Sequence, residues 1–204
     1  MRLRDRQRAG LLLFAGSIGF AIGMTVAEAT FPGYNVAHDF LGDLGVGPSA
    51  ITFNASITFF GVALLTAAGL LARAFRNRLL AIALALAGIG AIGFGVVPAT
   101  DDYPARIIHT GAAFLAYSCG GLSAVLAFRI LRAPLRYVSA ALGAVSLIAL
   151  GLMVSQTYVG LDRGTMEQIV VWSILVWGMA AGGSLLIPPS TSSRESVPAG
   201  SRSA

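Results

Sequence analysis

Six uninterrupted stretches without a charged side chain constrain this chain more than any other feature. They run over 9–27, 44–72, 79–100, 107–128, 137–161 and 168–193. A helix needs roughly 20 mainly apolar residues to cross about 30 Å of hydrocarbon, and each stretch meets that need. The stretches are rich in Leu, Ala, Ile, Val and Gly and lack the strict alternation of membrane barrel strands. The expected fold is therefore all-α, a polytopic bundle of six transmembrane helices at about 9–28, 49–72, 79–97, 106–128, 137–157 and 168–187. Charged residues make up only 11% of the chain and its mean hydropathy is +0.78, against about 25% charge in ordinary soluble domains. That balance excludes a soluble enzyme, a disordered chain and a nucleic-acid binder.

The charges also predict an orientation. All fourteen basic residues are Arg. Arg2, Arg4, Arg6 and Arg8 precede the first stretch; Arg73, Arg76 and Arg78 separate the second from the third. Arg129, Arg132 and Arg136 separate the fourth from the fifth, and Arg194 and Arg202 lie in the tail. One side thus collects twelve Arg and two acids, and the other two Arg and seven acids, a net of +10 against −5. Positive residues mark the cytosolic side, so both termini are expected in the cytosol and the protein in the plasma membrane. The arginines would there meet anionic headgroups rather than nucleic acid.

Residues 1–8 form an Arg-rich cytoplasmic N-terminus, 9–187 the membrane domain, and 188–204 a Pro-, Ser- and Gly-rich tail expected to be disordered. The first apolar run resembles a signal peptide ending at Ala27-Glu28-Ala29. At 19 residues it exceeds the usual hydrophobic core of roughly 7–15, so it is expected to stay as the first span. The lone Cys119 excludes an intramolecular disulfide. Small residues such as Gly19 and Gly23, the run Gly88 to Gly95, Gly120 and Gly121, and Gly178 and Gly182 predict close helix packing, with a homo-oligomer open to the same faces.

Nearly all reactive polar groups fall at the predicted outer ends. The 28–48 link is too apolar for a plain loop: Val36, Phe40, Leu41 and Leu44 approximate helical spacing and predict a short interfacial helix. Asp39 and Asp43, four apart, would repel unless a cation such as Arg106, Arg163 or a metal ion sat nearby. Asp101 or Asp102 can cap the fourth helix, with Pro104 tolerated in its first turn. Asp102, Arg106 and His109 then share a face. His109 lies within a span, where an ionisable side chain points to the bundle interior and marks a candidate site. The bland alternative is a His bonded to a neighbouring helix for structure alone. His38 completes the outward polar set.

Several of these runs together resemble one family. Tyr34 to Gly45, with Leu41-Gly42-Asp43-Leu44-Gly45, is similar to its Ser-acid-Leu-Gly segment. Phe53-Asn54-Ala55-Ser56 followed by Gly61 is similar to its Phe-Asn-x-Ser…Gly helix start. Val97-Pro98…Asp101-Asp102…His109…Ala112 and Gly160-Leu161-Asp162-Arg163 resemble its remaining motifs. The family is the bacterial and archaeal membrane group called domain of unknown function 998, over roughly residues 10–187. Gly42 stands where the family often has Ser. The resemblance implies six spans and no reaction. Its motif residues fall on Asp43, Asn54, Asp101, Asp102, His109 and Arg163.

The chain carries no nucleophile elbow, His-Glu-x-x-His or phosphate loop. The leading expectation is thus a non-catalytic membrane protein whose outward cluster of His38, Asp39, Asp43, Asn54, Asp101, Asp102, Arg106, His109 and Arg163 binds a lipid headgroup, a partner or a metal. No cofactor is predicted. The alternative is a zinc-dependent hydrolase of lipids at the outer leaflet, using His38, His109 and Asp102 as ligands. A bis-histidine haem protein and a transporter have less behind them.

Overall fold

The computed structural model describes residues 2–100 and 102–188. Six long helices account for most of them: α1 (Arg2–Thr30), α2 (Ala50–Phe75), α3 (Arg78–Val96), α4 (Tyr103–Leu126), α5 (Leu135–Val154) and α6 (Arg163–Leu186). Each is long and apolar enough to cross a membrane, and no strand occurs among the described residues. Large apolar side chains such as Ile22, Ile82, Ile107 and Ile148 stand exposed on the flanks, as lipid-facing residues would.

Short connections make sequential helices antiparallel neighbours. Between α2 and α3, Arg76 takes the left-handed conformation (φ 54°) and the Asn77 side chain accepts from Leu80 N–H at 3.2 Å. That pair stops one helix and starts the next within two residues. At the other end of the bundle Pro98 holds Val97 extended (φ −104°, ψ 103°), because the residue before proline disfavours the α region. Neighbours in sequence pack side by side, α6 returns to α1, and α4 and α6 touch across the ring.

The core is an aromatic column. Phe20 stacks on Phe60 (5.6 Å between centroids) and meets Phe53 edge-on (5.9 Å). Phe53 meets Phe94, and Phe94 meets Tyr117 at 6.0 Å and His109 at 4.4 Å. Glycine brings the backbones together as helix association in lipid requires. A Cβ on Gly61 would lie 2.7 Å from the Gly88 carbonyl, and one on Gly143 would lie 2.6 Å from the Gly121 carbonyl. The second pair fixes α4 hard against α5 below the middle of both helices.

The α1–α2 link does not form one continuous helix. It makes turns through His38 and Asp39, then a five-residue 3-10 helix, Leu41–Gly45. Leu41 and Leu44 are buried, so this piece is tucked into the bundle end. The segment is too short and too rich in Gly for a full amphipathic helix.

Candidate functional site

The link is held down by its own polar groups and by α6. Thr165 N–H, in the first turn of α6, donates to the Ala37 carbonyl at 3.1 Å. Gly164 lies so close beneath the link that a Cβ there would stand 2.6 Å from the Val36 carbonyl. Arg163 Nε donates to the His38 carbonyl at 2.6 Å, and its guanidinium lies 4.8 Å over the Phe40 ring. The sequence suggested a carboxylate partner for Arg163; the structure gives it a carbonyl and an aromatic face. Asn54, in the first turn of α2, donates to the Gly45 carbonyl at 2.9 Å and ties the 3-10 helix to α2.

The two link carboxylates serve their own turns. Asp39 Oδ2 accepts from Asn35 N–H at 2.8 Å, and Asp43 Oδ2 accepts from Phe40 N–H at 3.0 Å. Neither lies within ion-pairing distance of an Arg; among the described residues the one such contact of a carboxylate is with an imidazole, His38 Nδ1 to Asp162 at 3.1 Å on the exposed surface. Asp102 occupies the N-cap position of α4 without a side-chain capping bond, and Asp101 lies outside the described residues. Arg106 is exposed one turn further on.

His109 is 6% exposed. Its Nδ1 lies 2.7 Å from the Val97 carbonyl, and a carbonyl only accepts. The proton therefore sits on Nδ1, leaving an Nε2 lone pair. That Nε2 faces Gly42: a Cβ on Gly42 would stand 2.6 Å from it. His109 and His38 do not converge, and no three His, Cys, Asp or Glu side chains among the described residues are grouped to hold a metal.

Two residues missing from the sequence-derived set complete the site. Glu167, 5% exposed, accepts from Leu41 N–H at 2.7 Å and from the Tyr117 hydroxyl at 2.8 Å. Its spacing from Val170, Val171 and Ile174 puts it on the buried face of α6, a signal available in the sequence. The adjacent Gln168 donates to Glu28 at 2.6 Å. Nearby the Tyr34 hydroxyl is buried without a partner. Burial pushes the Tyr34 phenol well above its usual range, and the carboxylates of Glu28, Glu167, Asp43 and Asp39 push it the same way.

Glu167 and Tyr117 line a cavity of about 560 Å³. Part of the cavity lies between α4 and α5. The opening between them is walled by Arg106, Thr110, Ala113 and Phe114 on α4 and by Leu150, Met153 and Val154 on α5. The interior presents Asp43, Phe94, His109, Tyr117 and Glu167. Phe114 and Val154 on this flank are exposed, and Ala99, Thr100, Gln156 and Tyr158 from the adjoining links complete the lining at the end of the bundle.

The fold defines a multi-pass α-helical membrane protein, with a cavity lined by both polar and apolar side chains. A family model described as "Protein of unknown function (DUF998)" matches residues 14–184. The chain belongs to that family. No curated protein and no solved structure matches it.

Proposed function

We propose that this protein binds a membrane amphiphile in the cavity between α4 and α5, without transforming it. In this reading it sits in the plasma membrane with both termini cytosolic, and the cavity lies in the outer half of the bilayer. The charge asymmetry of the links supports that orientation. The carrying observation is the composition of the cavity itself. An apolar flank of Phe114, Leu150 and Met153 leads to a floor of Glu167, Tyr117 and His109. An amphiphile entering sideways would lay its chain along the first and its head on the second. Asp39 and Arg163 then brace the link above the pocket rather than touch the ligand.

The test is lipid occupancy. Native mass spectrometry of protein released from lipid nanodiscs should show a retained lipid. Ala113→Trp, which fills the mouth, should strip it while the protein stays folded. Equal occupancy in both proteins overturns the reading. Orientation is tested with Asp39→Cys in a Cys119→Ser background, where an impermeant thiol reagent should label intact cells.

A hydrolytic reading has one observation in its favour. The His109 Nε2 lone pair, with its ring fixed by Val97, is what a general base or a metal ligand requires. Stoichiometric zinc in purified protein, lost in His109→Ala, would favour it over simple binding.

A further inference from the structure

The charges lining the cavity are unevenly placed. Glu167 lies at the floor and Asp43, half-buried, in the wall; Arg106, exposed, stands at the mouth. Neither carboxylate lies within ion-pairing distance of an Arg or His among the described residues, the one such contact being that of His38 with Asp162. An ionised carboxylate offers about four lone-pair positions, and Glu167 commits two of them, to Leu41 N–H and to the Tyr117 hydroxyl. Burial disfavours the charged form of such a carboxylate unless a counter-charge lies near it. A ligand bringing a positive group to the floor would supply one.

The walls suit the same ligand. Phe40, Phe94, Phe114, Tyr117 and Tyr158 all face this cavity. Aromatic faces beside a carboxylate attract ammonium groups, including quaternary ones with no N–H to donate. An anionic head would meet two carboxyl groups, and a neutral head would bring neither of them a counter-charge. The apolar flank of Leu150 and Met153 provides for an attached aliphatic chain.

We propose that the cavity selects an amphiphile by its ammonium group, primary or quaternary, seated against Glu167 and Asp43 with its chain toward the opening between α4 and α5. This rests on the amphiphile-binding reading above and names the head it recognises. Two sources share that chemistry. A zwitterionic phospholipid would place its ammonium at the floor and its phosphate toward Arg106. A long-chain amine would use the floor alone.

The experiment uses the full chain in neutral maltoside micelles and three probes of one chain length: dodecyltrimethylammonium, dodecylphosphocholine and dodecanol. Binding is read by microscale thermophoresis against probe mole fraction. The ammonium-bearing probes should bind at least about tenfold more tightly than dodecanol, the scale of losing one charged hydrogen-bond or ion contact. Glu167→Gln and, independently, Asp43→Asn should erase that preference while leaving dodecanol binding unchanged. Tighter binding of dodecylphosphocholine identifies a phospholipid head; tighter binding of dodecyltrimethylammonium identifies a simple amine. Equal binding of dodecanol and the ammonium probes by the unmodified chain overturns the ammonium inference and leaves the amphiphile-binding reading standing. Binding of none of the three overturns both. If Glu167→Gln does not fold, the comparison of probes on the unmodified chain and Asp43→Asn decide the matter.

Discussion

The Tyr117 hydroxyl, on α4, donates a 2.8 Å hydrogen bond to Glu167 Oε1, on α6, and both side chains are buried. The bond joins two helices that are not sequence neighbours and sets the floor of the cavity. Tyr117→Phe keeps the ring in the aromatic column but deprives the carboxylate of a donor. Leaving a buried group unsatisfied costs about 1–3 kcal/mol. The variant should unfold at lower temperature in detergent by a corresponding amount. An unchanged midpoint would show that the bond adds nothing to stability.

Gly42 and His109 should behave as a coupled pair. A Cβ at position 42 would stand 2.6 Å from His109 Nε2, so Gly42→Ala must displace the ring or the 3-10 helix. Overpacking of this kind costs about 1–3 kcal/mol. His109→Ala removes the obstacle, so Gly42→Ala should cost less in that background. A double-mutant cycle measures the coupling, and strictly additive losses would contradict the close approach.

Val159, 70% exposed, adopts φ 45° in the α5–α6 turn. A β-branched residue there is strained, by about 1–3 kcal/mol. Val159→Gly should therefore stabilise the protein despite glycine's greater freedom when unfolded, with a net gain below about 2 kcal/mol. Thermal unfolding reads this directly, and a loss of stability would refute it.

Tyr34 carries a pH signature. Its phenol is held above the usual value by burial first and then by the carboxylates around it. A group whose folded pKa is raised contributes stability that is fully present below the unfolded pKa, about 10 for tyrosine, and lost as pH rises toward the folded value. The protein should therefore lose stability above about pH 10, and Tyr34→Phe should flatten that decline. Phenolate absorbance in the folded protein should appear later on alkaline titration than in the unfolded chain.

The six helices were legible because hydrocarbon leaves its mark as long runs without charge. Their true ends were less so. Helix α1 begins at Arg2 and α6 at Arg163, since a helix continues past the apolar run that identifies it. His109 and Asp43 were legible as ionisable groups beside the spans, and both line the cavity. Glu167 was left out of the site because charge marked the border of the sixth run, although its spacing from Val170, Val171 and Ile174 already put it on the buried face. Its partner Tyr117 could not be found from spacing along one helix, since their meeting depends on α4 touching α6. His38 and Arg163 were grouped with the site but brace the link, through Asp162 and through the His38 carbonyl. The cavity depended on where two helices part, which no single segment encodes.

Gly121 and Gly143 hold α4 close against α5, and in the proposed reading the guest enters from the membrane between these two helices. A guest arriving by that route never leaves the bilayer. Its supply is then set by its abundance per area of leaflet and by two-dimensional diffusion, not by aqueous solubility. Modest intrinsic affinity suffices to keep such a site filled, and changing the surrounding lipid mixture changes its occupancy at once.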